Sequence, residues 1–358
     1  MEVFKLSDIA KFTTGKLNSN AAETGGKYPF FTCAPEPLRI NTYAFDTEAI
    51  ILAGNNAEGN FHIQYYEGKF NAYQRTYVIE SCDASRVNLR YLYYALKMCL
   101  RHFKQISQGT ATKFLTAKIL NGFEVPIPTI ELQNKIASLL GALDEKLEAN
   151  ESINKNLYEQ MLAIFDNAKR TSSWHAHKLG DVLTFFDNLR KPLSSIQRVK
   201  MTHIYPYYGA TSIVDYVEDY LFDGTYILIS EDGANVVDAS GHPLTQYTYG
   251  KFWVNNHAHI VKGTSSYSNA LIYAILGTLN MQSIVTGAAQ PKINQANLRN
   301  FETALPENEE AQTLSSVLNP MFKQMIHHDQ ENEKLSALRD TLLPQLMSGE
   351  LDVSDIDL

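Results

Sequence analysis

A heptad pattern sustained over about forty residues, and then repeated, constrains this chain more than any other feature. From Thr129 to Ala168, alternating steps of four and three meet Ile136, Leu140, Leu143, Leu147, Asn150, Asn154, Leu157, Met161 and Ile164. Apolar residues at that spacing form a seam along one helix face, here with two polar layers in its middle. A helix of that length runs roughly 60 Å at 1.5 Å per residue, more than one small domain needs. Pro126 and Pro128 stand just before its first turn, and neither Pro nor Gly interrupts it after Gly141. The plainer reading, an ordinary amphipathic core helix, has the length against it.

The pattern recurs 178 residues later. Ile136, Leu140, Leu143 and Leu147 correspond to Leu314, Leu318, Met321 and Met325, Asn150 and Asn154 to His328 and Asn332, and Leu157 to Leu335. The lead-in repeats as well: Gly109–Lys113 matches Gly287–Pro291, Leu115 matches Ile293, Phe123 matches Phe301, and Pro128 matches Pro306. Farther upstream small shifts are needed, as in Tyr28-Pro29-Phe30-Phe31 against Tyr205-Pro206-Tyr207-Tyr208. Two copies imply a duplicated unit of globular domain plus long helix, too few for a solenoid. Each seam needs a partner, and the other copy supplies one. The expected architecture is α+β: pseudo-symmetric globular domains at 1–128 and 171–305, separated by long helices at 129–170 and 306–358 paired antiparallel as a coiled coil. That pairing predicts Asn150 and Asn154 near Asn332 and His328. The second helix should start in the acidic run Glu307–Glu310 and break or bend at Pro344.

Within the domains, Glu48–Ala53, Thr76–Glu80, Gly122–Pro128 and Thr225–Ser230 read as strands. Phe61–Tyr73 and the region near Tyr249–Val254 read as hairpins around Glu67-Gly68 and Gly250. Helices are expected over Leu89–Phe103 and Ser268–Gln282.

The net charge of −8 is unevenly spread. Residues 1–128 carry 14 basic and 11 acidic side chains, whereas 306–358 carry 3 and 11. The globular halves are near neutral, which permits nucleic-acid binding by a local basic face without demanding it. No run of about eighteen apolar residues exists and the N-terminus lacks a signal pattern, so neither a membrane span nor secretion is expected. Cys33, Cys82 and Cys99 are odd in number and without metal spacing, which points to reduced thiols in a cytoplasmic protein.

Catalytic motifs are not found. There is no GxxxxGK[ST] cradle, GxGxxG or [DNS]-Pro-Pro-[YF] stretch, and no nucleophile beside a base. His257-x-His259 would place two imidazoles on one strand face without an evident third ligand, so a structural role is favoured there. The chain itself is expected to bind no metal and no cofactor. What remains is recognition. The loops are rich in polar and basic side chains: Lys16, Asn18, Asn20, Asn55, Asn56, Asn71, Tyr73, Gln74, Arg75, Thr110, Thr112 and Lys113 in the first half. In the second half stand Asn188, Arg190, Lys191, Tyr207, Tyr208, Asp232, Asn256, His257, Gln290 and Lys292. Such residues suit base edges and phosphates, although polar loops are often merely solvated.

Four stretches give the plan a family likeness: Tyr66–Tyr77 (YEGKFNAYQRTY), Lys251–His259 (KFWVNNHAH), Thr286–Ile293 (TGAAQPKI) and the closing Leu338–Leu351 (LRDTLLPQLMSGEL). With the duplication, they make the chain resemble the specificity subunits of type I restriction–modification systems over its whole length. The resemblance implies two target-recognition domains, each reading one half of a split sequence in double-stranded DNA, held apart by paired helices. It implies as partners two modification subunits, which hold S-adenosylmethionine and methylate adenine, and in some systems translocating restriction subunits. Chemistry and base flipping would then lie in the partners. Two alternatives remain: a recognition subunit whose partner fuses methylation and cleavage, and a coiled-coil adaptor that binds protein and lacks salt-sensitive DNA affinity.

Overall fold

The computed structural model describes residues 1–287 and 289–354. Ala288, in the second copy of the repeat, and residues 355–358, at the end of the second helical segment, lie outside the described residues. The chain forms two compact units, Ala149–Asn332 and Met1–Glu148 joined by the chain from Glu333 onward. Each unit therefore holds one mixed-sheet domain and one stretch of each long helix.

The long helices span Ile130–Thr171 and Asn308–Ser348. In the first unit Arg339 Nη1 meets Asp144 Oδ1 at 2.9 Å. In the second, Asn150 Nδ2 donates to Asn332 Oδ1 at 2.8 Å, and His328 Nδ1 lies 2.8 Å from Asn154 Oδ1. Partners fall in number on one helix as they rise on the other, so the helices pair antiparallel and the two polar layers meet as expected.

Pro344 does not end the second helix, contrary to expectation. Leu343 and Leu346 are 6% and 1% exposed in the first domain's core, so packing holds the turn that the missing N–H weakens. The helix stops at Gly349, whose φ of +78° suits a left-handed cap, and Leu351 N–H closes back on the Gln345 carbonyl at 3.1 Å.

The first domain's sheet has the strand order Ala10–Thr14, Thr76–Ser81, Phe45–Ala53, Ile63–Ala72, Tyr28–Phe31, Leu38–Ile40. All pairs are antiparallel except Tyr28–Phe31 on Ile63–Ala72. Ile63–Ala72 is one continuous strand and not a hairpin at Glu67-Gly68. Its residues Ile63 to Phe70 pair one by one with Leu52 to Phe45 without a break, and Gly68 takes the left-handed φ of +126° within that run. On one face the helix Leu89–Met98 buries Leu89, Tyr91, Leu92 and Leu96, and Ile136 and Leu140 of the long helix join them. Cys99 divides the expected single helix into Leu89–Met98 and Leu100–Ile106.

The second domain repeats this plan with the large sheet split in two. One sheet orders Leu183–Phe185, Ala258–Gly263, Tyr226–Ser230, Thr245–Thr248; the other orders Ile213–Val217, Tyr205–Tyr208, Lys251–Val254, Phe222–Asp223. Thr245–Thr248 and Lys251–Val254 are thus not a hairpin. The chain passes from one sheet to the other at Gly250, φ +67°. Met161 and Phe165 of the first long helix and Leu314, Leu318, Phe322 and Met325 of the second complete this domain's core around the helix Asn269–Thr278. No helix among the described residues is long and apolar enough to cross a membrane.

Candidate nucleic-acid interface

In the first domain three loops are tied together by main-chain hydrogen bonds. Asn55 and Asn56 pair antiparallel with Phe114 and Lys113. Gln108 and Phe114 exchange hydrogen bonds at 3.0 and 2.7 Å, closing the loop that carries Thr110, Thr112 and Lys113. Gln74 N–H donates to the Leu17 carbonyl at 2.9 Å, and its side-chain amide donates to Asn18 Oδ1 at 2.7 Å, which seats the Lys16–Asn18 loop beside the turn Tyr73–Arg75. Gly54 N–H donates to the Arg75 carbonyl at 2.8 Å, and the Arg75 guanidinium lies 5.3 Å from the Phe114 ring centre. Between them opens a pocket of about 440 Å³ lined by Thr14, Gly54, Gln74, Arg75, Tyr77 and Phe114. Asn56 Oδ1 accepts the N–H groups of Glu58 and Asn60 at 2.9 and 3.0 Å, so that oxygen shapes its own loop.

The second domain gathers the corresponding loops. Thr286 and Lys292 exchange hydrogen bonds at 2.8 Å, closing the loop with Gln290, and the main chain of Lys292 pairs antiparallel with that of Asp232. His257 Nδ1 sits 2.5 Å from Asp232 Oδ1. Arg190 donates to the Ala258 carbonyl at 2.8 Å, and Trp253 Nε1 donates to the Lys191 carbonyl at 2.6 Å, fixing the loop with Asn188.

Beneath these loops lies a charge cluster. Glu231 accepts from Arg190 at 2.6 Å and from Lys292 at 3.0 Å; Asp187 accepts from His259 Nδ1 and Gln295 at 2.7 Å each. Burial alone would raise both carboxyls, yet the hydrogen bonds from His259 on Asp187 and from Arg190 and Lys292 on Glu231 outweigh it and hold both below the ordinary carboxylate range. Ligand atoms of Asp187, Glu231 and His259 lie within 4.8 Å of one another, a spacing a metal could use. The guanidinium of Arg190 and the Lys292 ammonium already supply the countercharge there. Of the two histidines only His259 lies in the strand and is buried; His257 precedes it and is exposed, so the pair does not converge on one ion.

Three expected contact residues are interior strand residues, not loop residues. Asn71 is 4% exposed and accepts the Ala72 N–H, Tyr207 is 1% exposed with its hydroxyl accepting the Leu193 N–H, and Tyr208 packs on Phe252. Each lies in a strand flanked by other strands on both sides, Asn71 in Ile63–Ala72 and the tyrosines in Tyr205–Tyr208; adjacent Tyr207 and Tyr208 point to opposite faces, and both are covered. Arg190 and Lys292 reach the region but are engaged by Glu231. Lys16, Asn18, Asn20, Gln74, Arg75, Thr110, Asn188, Lys191, Asn256, His257 and Gln290 are exposed, while Asn55, Asn56, Tyr73, Thr112, Lys113 and Asp232 are half-buried among them.

The family described as "Type I restriction modification DNA specificity domain" matches residues 1–159 and 171–337. The chain belongs to this specificity family. Among its relatives, the EcoDI specificity subunit of a type I restriction enzyme from Escherichia coli is 35% identical over 179 residues, 48% of this chain and 39% of that protein. The MjaIX specificity subunit from Methanocaldococcus jannaschii is 23% identical over 74% of this chain and 70% of its own length. The crystal structure of a type I S subunit from M. genitalium shares the fold, with a TM-score of 0.59 at 18% identity, covering 96% of this chain and 95% of that one. The EcoDI relative and a Haemophilus influenzae relative are matched over only 39% and 32% of their own lengths.

The residues of this specificity-family chain that the sequence did not single out are Asp187, Glu231, Gly54 and Tyr77. Tyr77 Oη donates to the Leu115 carbonyl at 2.9 Å, and His259 Nε2 lies 2.8 Å from the Ile293 carbonyl, the same place in the repeat. Lining up Leu115 with Ile293 and working outward along the strands would have exposed this correspondence.

Proposed function

We propose that the chain is a non-catalytic DNA reader. It recognises a bipartite target in double-stranded DNA, one half-site per domain, and serves as the scaffold for two adenine-methylating modification subunits of a type I restriction–modification enzyme. S-adenosylmethionine belongs to those partners, restriction subunits join where the system has them, and the assembly works on DNA in the cytoplasm. The observation that carries this reading is the repetition of one loop cluster in both domains, in a chain of the specificity family. Half-sites separated by an unread gap call for a stiff spacer, and the paired helices have the character of one where a flexible linker would blur the spacing. The exposed loop residues named above are the proposed DNA contacts; amides suit adenine edges, and Arg75 suits guanine or phosphate.

The test is methylome sequencing of cells expressing this chain with its modification partner. A two-part motif with adenine in each arm is expected. A continuous motif, or no motif dependent on this chain, would overturn the reading.

A further inference from the structure

The two domains treat one position oppositely. Gly54 N–H bonds to the Arg75 carbonyl at 2.8 Å and its carbonyl accepts from Leu115 at 2.9 Å; Glu231 N–H bonds to the His257 carbonyl at 2.9 Å and its carbonyl accepts from Ile293 at 2.9 Å. Gly54 and Glu231 are therefore the same residue of the repeat. A Cβ on Gly54 would sit 2.4 Å from the Arg75 carbonyl oxygen, so the first domain keeps this place without a side chain and a pocket opens over it. In the second domain the Glu231 carboxylate fills it and takes both nearby cations.

We infer that Glu231 is a specificity-determining positioning residue, an internal anion that holds Lys292 and Arg190 away from DNA phosphate in the second domain. The inference rests on the DNA-reading function proposed above. Phosphate and carboxylate compete for the same N–H donors, and a carboxylate fixed at 2.6 and 3.0 Å from its cations is ahead of any incoming phosphate. Arg190 is further tied to the Ala258 carbonyl and is nearly enclosed, whereas the Lys292 side chain is 45% exposed, so Lys292 is the cation that a change at Glu231 would release. The second domain then reads its half-site with the neutral and imidazole donors Asn256 and His257, while the first domain presents over its open pocket the exposed Arg75 guanidinium, which lies on the Phe114 ring and among the described residues has no carboxylate in salt-bridge reach. The arms differ in how much of their affinity is sequence-independent.

The experiment uses the complex assembled with its modification subunits, a duplex carrying the methylome-defined target, and a second duplex with the second-domain half-site scrambled. The slope of log K against log salt is measured for wild type, E231Q, K292Q and E231Q/K292Q. Each phosphate contact adds about 0.9 to the slope. E231Q is expected to steepen it by about one and to bind the scrambled duplex several-fold more tightly, the double variant to return to the wild-type slope, and K292Q alone to leave that slope unchanged. If K292Q flattens the slope by about one, Lys292 already contacts phosphate and the inference is overturned; this arm decides even if E231Q fails to fold. A wild-type complex with no salt-dependent affinity for the target would instead remove the DNA-reading function itself.

Discussion

His328 Nδ1 donates to Asn154 Oδ1 across the paired helices at 2.8 Å. The direction follows from the partners. Asn154 Nδ2 is already donating to the Met325 carbonyl and Asp329, and the Gln324 amide approaches His328 Nε2 at 2.7 Å, so that nitrogen accepts. Both side chains are under 10% exposed. His328→Leu should therefore leave the buried Asn154 Oδ1 without its donor and cost about 1–3 kcal/mol, read as a lower Tm for the second unit; the exposed Gln324 amide can turn to water. His328→Asn, which can still donate to Asn154, should lose less.

Asn150 gives the opposite expectation. Its Nδ2 donates to Glu331 and Asn332 at 2.8 Å each, but among the described residues its buried Oδ1 has no hydrogen-bond partner. Replacing Asn150 and Asn332 together by Leu should raise Tm, because an incompletely satisfied polar layer gives way to an apolar one. The same change should broaden the gap lengths tolerated between half-sites, measured by methylation of targets with one base pair added or removed.

Gly15 holds the Lys16–Asn18 loop, proposed above to touch DNA, in close contact with the main chain of Ala72. A Cβ there would lie 1.7 Å from the Ala72 carbonyl oxygen, which no rotamer relieves. Gly15→Ala should displace the Lys16–Asn18 loop from Gln74 and weaken recognition of the first-domain half-site. Binding to a duplex altered only in the other half should fall much less in proportion. Arg75→Gln should flatten the salt slope by about one and weaken the same half-site.

Acid should act on the second domain first. Asp187 and Glu231 have folded-state carboxyls held below their unfolded values, so their stabilisation is present above about pH 4 and is lost as pH falls through the folded values. The groups facing them are His259, Arg190 and Lys292, with Asp232 and His257 alongside. Thermal melts from pH 7 to pH 3 should show the second unit's transition falling fastest, and Glu231→Gln should shrink that dependence. Equal slopes in wild type and variant would remove Glu231 from the account.

The helix pair was legible because period and repeat are local properties of sequence: the seam at Ile136, Leu140 and Leu147 is buried, and Asn154 finds His328. Strand pairing was less so. Nothing near Glu67-Gly68 distinguishes a turn from a strand that tolerates a left-handed glycine, and only pairing with Phe45–Leu52 decides it. Pro344 misled for a related reason, since the local cost of proline is visible in sequence and the core that outweighs it is not. At the candidate interface, residue type picked out the loops, but Tyr207, Tyr208 and Asn71 resemble loop contacts in composition while their place in strands flanked on both sides buries them. Glu231 escaped notice because its meaning comes from the place of Gly54 in the other copy.

The first domain's core is finished by Leu343, Leu346 and Val353, supplied from the far end of the chain. A graft that transplanted residues 1–128 alone into another scaffold would arrive with a hollow where those side chains belong. Exchange of the proposed half-site preference between such proteins should therefore succeed when crossover points fall inside both rods, so that each globular domain travels with the two helical stubs that plug it.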